Sequence, residues 1–176
     1  MQPDSTLAMA PADLATRFHA LLDEHRRIVF KVAASYCRDP HDRNDLAQEI
    51  AAQLWRAFPK YDGQRSFSTW MYRIALNVAI SFMRGSIQHD RHIVALDETV
   101  HDRPAETNAD PEADERLSML YRCIDRFDPL NRALLLLYLD ERSQRDIADI
   151  LGISETNVAT KIGRLKQRLR DEMAGA

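Results

Sequence analysis

Alternating apolar and polar runs of Val, Ile or Thr, the usual mark of half-buried strands, are missing from this chain, and Gly (5) and Pro (7) are few. Leu, Ala, Arg and Asp are plentiful instead, so the expected fold class is all-α. No apolar run approaches the roughly 20 residues that span a bilayer. The opening MQPDSTLAMAPADLA carries Asp4 and Asp13 and has neither a basic start nor an apolar stretch of signal-peptide length. A soluble, cytoplasmic protein is expected. Cysteine is scarce: Cys37 and Cys123 stand far apart, without the paired spacing of a zinc site or a thiol–disulfide motif, and are read as buried free thiols. The six histidines are scattered, and the one close pair, His89 and His92, has no Cys or carboxylate constellation around it. These two are read as solvated side chains. No metal or cofactor is expected, and a metal-dependent hydrolase is excluded for want of a clustered ligand set.

The net charge of −3 argues at first against a nucleic-acid partner, but its distribution does not. Basic against acidic residues count 11 to 9 over residues 1–84, 3 to 9 over 85–116 and 10 to 9 over 117–176, so the acidity sits in the middle. In the last block Lys161, Arg164, Lys166, Arg168 and Arg170 follow one another with no acid between them. That is a local basic stripe of the kind that neutralises phosphates.

A chain of 176 residues holds one core or two small ones. After an N-terminal tail over residues 1–13, expected to be disordered, helical spacing of apolar residues runs from 14 to 84 with breaks at 37–43 and 59–66, which predicts three main helices. Residues 85–116 lose that periodicity and gather Asp, Glu, Thr, Asn, Pro104 and Pro111; this composition cannot bury enough apolar surface to fold alone and reads as a flexible acidic linker. Periodicity returns through Leu117, Leu120, Ile124 and Phe127 and the apolar run 133–139, predicting a second domain of about four helices over 117–172.

Within that second domain, Ser143-Gln-Arg-Asp146 has the form of a helix-starting capping box. Ile147, Ala148 and Leu151 supply an apolar face, and small Ala148 permits a close helix crossing. Gly152 provides the left-handed residue that ends the helix, Ile153 plugs the core, and Ser154 caps a second helix carrying Val158, Ile162, Leu165 and Leu169 inward. Two short helices meeting at so tight a turn predict a helix-turn-helix over residues 143–169 that binds duplex DNA. The N-terminal end of its second helix would enter the major groove. Glu155, Thr156, Asn157, Thr160 and Lys161 are then the candidate base readers, with Arg164 and Lys166 nearer the phosphates.

In the first domain Asp45, Gln48, Glu49, Ala52 and Arg56 share one helix face, while Leu46, Ile50, Leu54 and Phe58 share the inward one. The polar face is available to a partner. The loop Tyr61-Asp-Gly63-Gln-Arg-Ser66 leads into a helix whose apolar positions are Phe67, Trp70, Met71, Ile74, Val78 and Phe82. Tyr61, Gly63, Arg65, Thr69, Tyr72, Arg73 and Asn77 could surround an unstacked base, because single strands are held by aromatic stacking beside cationic and amide groups.

Both halves resemble a known family at once. Asp45-Leu-Ala-Gln-Glu49, Trp55 and Phe67-Ser-Thr-Trp70-Met-Tyr-Arg-Ile-Ala75-Leu-Asn77 resemble the second conserved region of bacterial RNA polymerase sigma factors of the extracytoplasmic-function (ECF) group. Ile147-Ala-Asp-Ile-Leu-Gly-Ile-Ser154, with Val158, Arg164 and Leu169, resembles their fourth region. The resemblance covers roughly residues 14–84 and 117–172 and implies a non-catalytic initiation subunit: a three- to four-helix region 2 bundle and a region 4 helix-turn-helix joined by the linker. By it, Asp45, Gln48, Glu49, Ala52 and Arg56 would dock on core RNA polymerase. Tyr61, Gly63, Arg65, Ser66, Thr69, Trp70, Tyr72, Arg73 and Asn77 would hold a flipped non-template base of the minus-ten element and so melt the promoter. Ser154, Glu155, Thr156, Asn157, Thr160, Lys161, Arg164 and Lys166 would bind the minus-thirty-five element. The acidic linker is similar to segments that thread the polymerase interior, and an anti-sigma factor is an implied partner. Many members carry Thr-Val-Lys-Ser-Arg where this chain has Asn157-Val-Ala-Thr-Lys161, so promoter sequence does not carry over. The competing reading is a stand-alone helix-turn-helix regulator with an N-terminal oligomerisation domain, which accounts for the second half of the chain but not for the pattern in the first.

Overall fold

The computed structural model describes residues 11–90, 119, 120 and 122–174, and every regular element among them is helical. The first bundle consists of α1 (Pro11–Tyr36), α2 (Pro40–Ala57), a 3-10 turn (Phe58–Lys60) and α3 (Phe67–Asp90). The second consists of a helical turn at residues 122–125, α4 (Pro129–Leu139), α5 (Gln144–Leu151) and α6 (Glu155–Ala174).

The break between α1 and α2 is shorter than the sequence suggested. Asp39 accepts from the backbone N–H groups of His41 (2.8 Å) and Asp42 (3.0 Å), and Pro40 occupies the first helical position, where its missing N–H costs nothing. Pro40 therefore opens a helix instead of interrupting one. The same Asp-Pro device starts α4, where Asp128 accepts from Leu130 (3.2 Å) and Asn131 (3.0 Å) ahead of Pro129. At the other boundaries α1 begins at Pro11, inside the expected tail, and α3 continues to Asp90, beyond the expected start of the linker at Gly85. A lone Gly costs a helix about 1 kcal/mol without ending it, and no Pro follows it before Asp90. The rest of the tail and of the linker, including His92, lies outside the described residues.

The first core is built from Val32 and Ala33 of α1, Leu46, Ile50 and Leu54 of α2, and Met71, Ala75, Leu76 and Ala79 of α3, all essentially inaccessible. The second is built from Leu134 and Leu137 of α4, Ile147 and Ile150 of α5, and Val158, Ile162 and Leu165 of α6. Burying one such Leu or Ile contributes roughly 1.5–3 kcal/mol. Cys37 and Cys123 are both buried free thiols, as expected.

The two bundles pack together: α3 lies along α5, and both α1 and α3 meet α4. Their buried apolar residues form one continuous cluster, and polar groups also bridge the seam. The Tyr36 hydroxyl donates to the Pro129 carbonyl (2.7 Å), and buried Arg132 donates to the Ser35 carbonyl (3.2 Å) while lying over the Tyr36 ring. Arg38 donates to Asp125 (2.9 Å). At the turn between α4 and α5, Asp140 accepts from the Tyr72 hydroxyl (2.7 Å) and pairs with Lys31, while Arg142 donates to Ser68 (3.1 Å) and covers the Tyr72 ring.

Candidate nucleic-acid and polymerase interfaces

On α2 the spacing 45, 48, 49, 52, 56 produces the single outward face that helical geometry requires. Asp45, Gln48, Glu49 and Arg56 are exposed, and Ala52 lies half-buried among them. Their partners are local. His41 pairs with Asp45 (3.2 Å), Gln53 donates to Glu49 (2.7 Å), and Arg56 stands 3.9 Å from Glu49. Exposed pairs of this kind are worth about 0–1 kcal/mol, so both carboxylates can change partners at little cost.

The loop before α3 is held from within. The Tyr61 ring sits 5.0 Å from Trp70 and 5.5 Å from Phe67, in a cluster completed by Phe58, and its hydroxyl donates to the Arg65 carbonyl (2.8 Å). Gly63 takes a left-handed φ of 73°, and Asp62 accepts from the Gln64 N–H (3.0 Å) to close the turn. Ser66 caps α3, accepting from the Thr69 N–H (3.2 Å) and donating to the Thr69 hydroxyl (2.9 Å). Tyr61, Gly63 and Ser66 thus shape the loop, with Gly63 and Ser66 exposed on it and Tyr61 half-buried.

Beyond this loop, Arg65, Thr69, Trp70, Arg73 and Asn77 line one cavity of about 600 Å³ together with Lys60, Ile74 and, from the second bundle, Asp149. Trp70, Arg73 and Asn77 recur at i, i+3 and i+7 on one face of α3. Tyr72 does not join them, which corrects the sequence expectation. It belongs with Thr69 and Leu76 on the inward face, is fully buried, and spends its hydroxyl on Asp140; burial foremost, and that hydrogen bond, hold its ionisation far above the ordinary range. Lys60, which sequence reasoning missed, is a cation directly before Tyr61; its neighbour was the available signal. Nothing in the sequence pointed to Asp149, whose carboxylate lies 3.7 Å from Arg65. A smaller hollow of about 310 Å³ between α2 and α3 shares Asn77 and adds Glu49, Gln53 and Ser81.

The helix-turn-helix forms as its residues dictate. The Ser143 hydroxyl accepts from the Asp146 N–H (3.0 Å) and donates to the Asp146 carboxylate (2.8 Å), so the acid bonds the capping hydroxyl directly. Gly152 adopts φ 69° and donates to the Ala148 carbonyl (2.8 Å), and Ser154 accepts from the Asn157 N–H (3.2 Å). Glu155, Thr156, Asn157, Thr160 and Arg164 are exposed on α6, and Lys161 is half-buried. The basic stripe divides: at about 100° per residue Lys161, Arg164 and Arg168 fall on one side of α6, and Lys166 and Arg170 on nearly the opposite one. Lys166 lies over the Tyr138 ring at 5.2 Å and so packs against α4. Arg164, with which it was expected near the phosphates, lies on the other side of the helix.

Two helical bundles, one ending in a helix-turn-helix and the other carrying a cation- and aromatic-lined hollow, fit the class of helix-turn-helix DNA-binding proteins. Residues 21–86 match Sigma-70 region 2 and residues 117–169 match Sigma-70, region 4, together more than half of the chain. The chain is 24% identical to the ECF RNA polymerase sigma factor SigW of Bacillus subtilis, over 89% of its own length and 88% of that relative. It is 25% identical to the RNA polymerase sigma factor NccH of Alcaligenes xylosoxydans xylosoxydans, over 86% and 84% of the two chains. With the ECF sigma factor SigE of Mycolicibacterium smegmatis identity is 30% over 88% of this chain and 60% of the relative. The fold is similar to CnrH in complex with the cytosolic domain of CnrY (TM-score 0.66, 22% identity, 93% and 94% covered). It is also similar to RpoE in complex with the anti-sigma factor NepR from Bartonella quintana (TM-score 0.68, 17% identity, 92% and 97% covered). This chain belongs to the ECF group of bacterial RNA polymerase sigma factors and serves transcription initiation. Matches in both halves leave the stand-alone regulator without support. Among the described residues no helix is long and apolar enough to cross a membrane.

Proposed function

We propose that the chain binds core RNA polymerase through the polar face of α2, reads the minus-thirty-five duplex with the N-terminal end of α6, and captures a minus-ten base in the hollow on α3. The observation that carries this reading is the lining of that hollow. Lys60, Arg65 and Arg73 attract phosphate, Trp70 presents an aromatic surface, and Asn77 offers both a donor and an acceptor to a base edge. Extruding a base costs a few kcal/mol of stacking, which contacts of these kinds offset, so strand opening follows from binding without a covalent step. The Glu49 and Gln53 side chains share the smaller hollow with Asn77, which supports a polymerase-docking face beside the base-capture site. The similarity to sigma factors solved with inhibitors supports an anti-sigma partner acting on this chain too.

Asn77→Ala tests the assignment. With polymerase bound, it is expected to slow open-complex formation while leaving initial promoter binding nearly unchanged, read by permanganate footprinting on a promoter selected by run-off transcription. Normal melting in that variant would remove Asn77 from the base-capture role.

A further inference from the structure

Gly163 stands inside α6, which runs unbroken from Glu155 to Ala174. A glycine there weakens the helix, because its backbone loses more freedom on folding than that of alanine. The usual reasons for accepting that cost do not apply. The helix does not end at Gly163, and among the described glycines only Gly63 and Gly152 take the positive φ that favours glycine. A Cβ added at Gly163 meets nothing within 4 Å, so no neighbouring element among the described residues needs the space. Neither backbone conformation nor packing within the chain accounts for the missing side chain.

The helix sets the direction in which that space opens. Val158, Ile162 and Leu165 are buried, and at about 100° per residue the opposite side of α6 carries Thr156, Thr160 and Gly163, all exposed. Thr160 donates its hydroxyl to the Thr156 carbonyl one turn back (2.9 Å), which draws that group onto the helix. Asn157 and Arg164 are exposed along one flank of the same side. The open space therefore faces outward, among the residues assigned to the minus-thirty-five duplex.

We propose that Gly163 is a clearance position for duplex DNA: without a side chain there, α6 seats closely enough in the major groove for its flanking Asn157 and Arg164 to make their contacts. The proposal rests on the minus-thirty-five assignment above and adds to it a positioning residue outside the set of base readers. Dimensions support it. A helix with its side chains is about 10–12 Å across and the major groove is about 12 Å wide, so a side chain on the leading side of the helix decides how far the backbone enters. Gly163 then trades helix stability for depth of docking. The substitution that strengthens the fold is the one that weakens the grip.

Holoenzyme assembled from the full-length chain and core polymerase is titrated with two fluorescent duplexes, at a temperature too low for strand opening. One is a promoter selected by run-off transcription; the other is the same promoter with its minus-thirty-five element scrambled. Gly163→Ala and Gly163→Leu both introduce strong helix formers, so both variants melt at or above the wild-type temperature. Gly163→Leu is expected to lower affinity for the intact promoter by about tenfold, the equivalent of roughly one base contact, and Gly163→Ala by less. Affinity for the scrambled duplex stays near the wild-type value in both. Weaker binding by a chain that melts no lower cannot come from unfolding. Unchanged promoter affinity in both variants would overturn the proposal, as would equal losses on the two duplexes or a loss accompanied by a lower melting temperature. Asn157→Ala combined with Arg164→Ala separates the two readings. If the wild type does not discriminate between the duplexes, or this double variant still does, the minus-thirty-five assignment fails; if the double variant loses discrimination while Gly163→Leu keeps it, only the clearance role fails.

Discussion

Gly152 and Gly163 lie eleven positions apart in the helix-turn-helix, and replacing each with Ala should have opposite effects. A Cβ added at either position meets nothing within 4 Å, so neither substitution is decided by a clash. Backbone conformation decides instead. Gly152 holds φ 69° at the end of α5, where an L-residue loses roughly 1–2 kcal/mol; a stiffer unfolded chain returns about 0.4–1 kcal/mol of that. The net expectation for Gly152→Ala is a loss of about 1 kcal/mol. Gly163 lies inside α6, where Ala is favoured by about 0.8–1 kcal/mol, so Gly163→Ala should stabilise by that amount. For a chain of this size each kcal/mol moves the melting temperature by about 2–4 °C, well within the reach of thermal denaturation followed by circular dichroism. The variants should therefore flank the wild type, several degrees apart. Shifts of the same sign would refute the claim that the left-handed backbone at Gly152, and not helix propensity alone, decides the outcome there.

Asp45→Arg combined with Glu49→Arg should abolish capture by core polymerase in a pull-down while moving the melting temperature little, since both carboxylates are exposed with only local partners; unchanged capture would sink the docking assignment. Burial works to raise the Asp140 pKa, but hydrogen bonds from Lys31 and Tyr72 outweigh it and hold the carboxyl below its ordinary value. Its folded pKa is thus lower than its unfolded one, so its stabilisation is complete above about pH 4 and fades as pH falls through the folded value. Asp140→Asn should accordingly melt below the wild type at pH 6, with the gap narrowing below about pH 4; a gap constant across that range would contradict the linkage. Burial, with the Asp42 charge nearby, pushes the Cys37 thiol up to about 11, and Cys123 is equally enclosed, so Ellman's reagent at pH 8 should label neither in the native protein and both in urea.

The helices and the turn between α5 and α6 were legible because their causes are local: caps, a left-handed glycine and apolar spacing act within a few residues. The boundaries that moved did so for reasons the sequence also held. The break expected over 37–43 took in Pro40, although Asp39 before it is a capping residue and that pair opens a helix. The linker was expected to start at Gly85 because apolar periodicity is lost there, but no proline stands beside it and α3 continues to Asp90. The same local logic separates Tyr72 from Trp70, Arg73 and Asn77. Residues 72 and 76 are buried on one face of α3 while 70, 73 and 77 share another, so helical angle separates Tyr72 from the hollow.

Asp149 was out of reach of such reasoning. In sequence it is one more acid on a short amphipathic helix, and its relation to Arg65 exists only because two bundles separated by a long segment meet. Periodicity reports which face of a helix is buried, not which distant helix buries it.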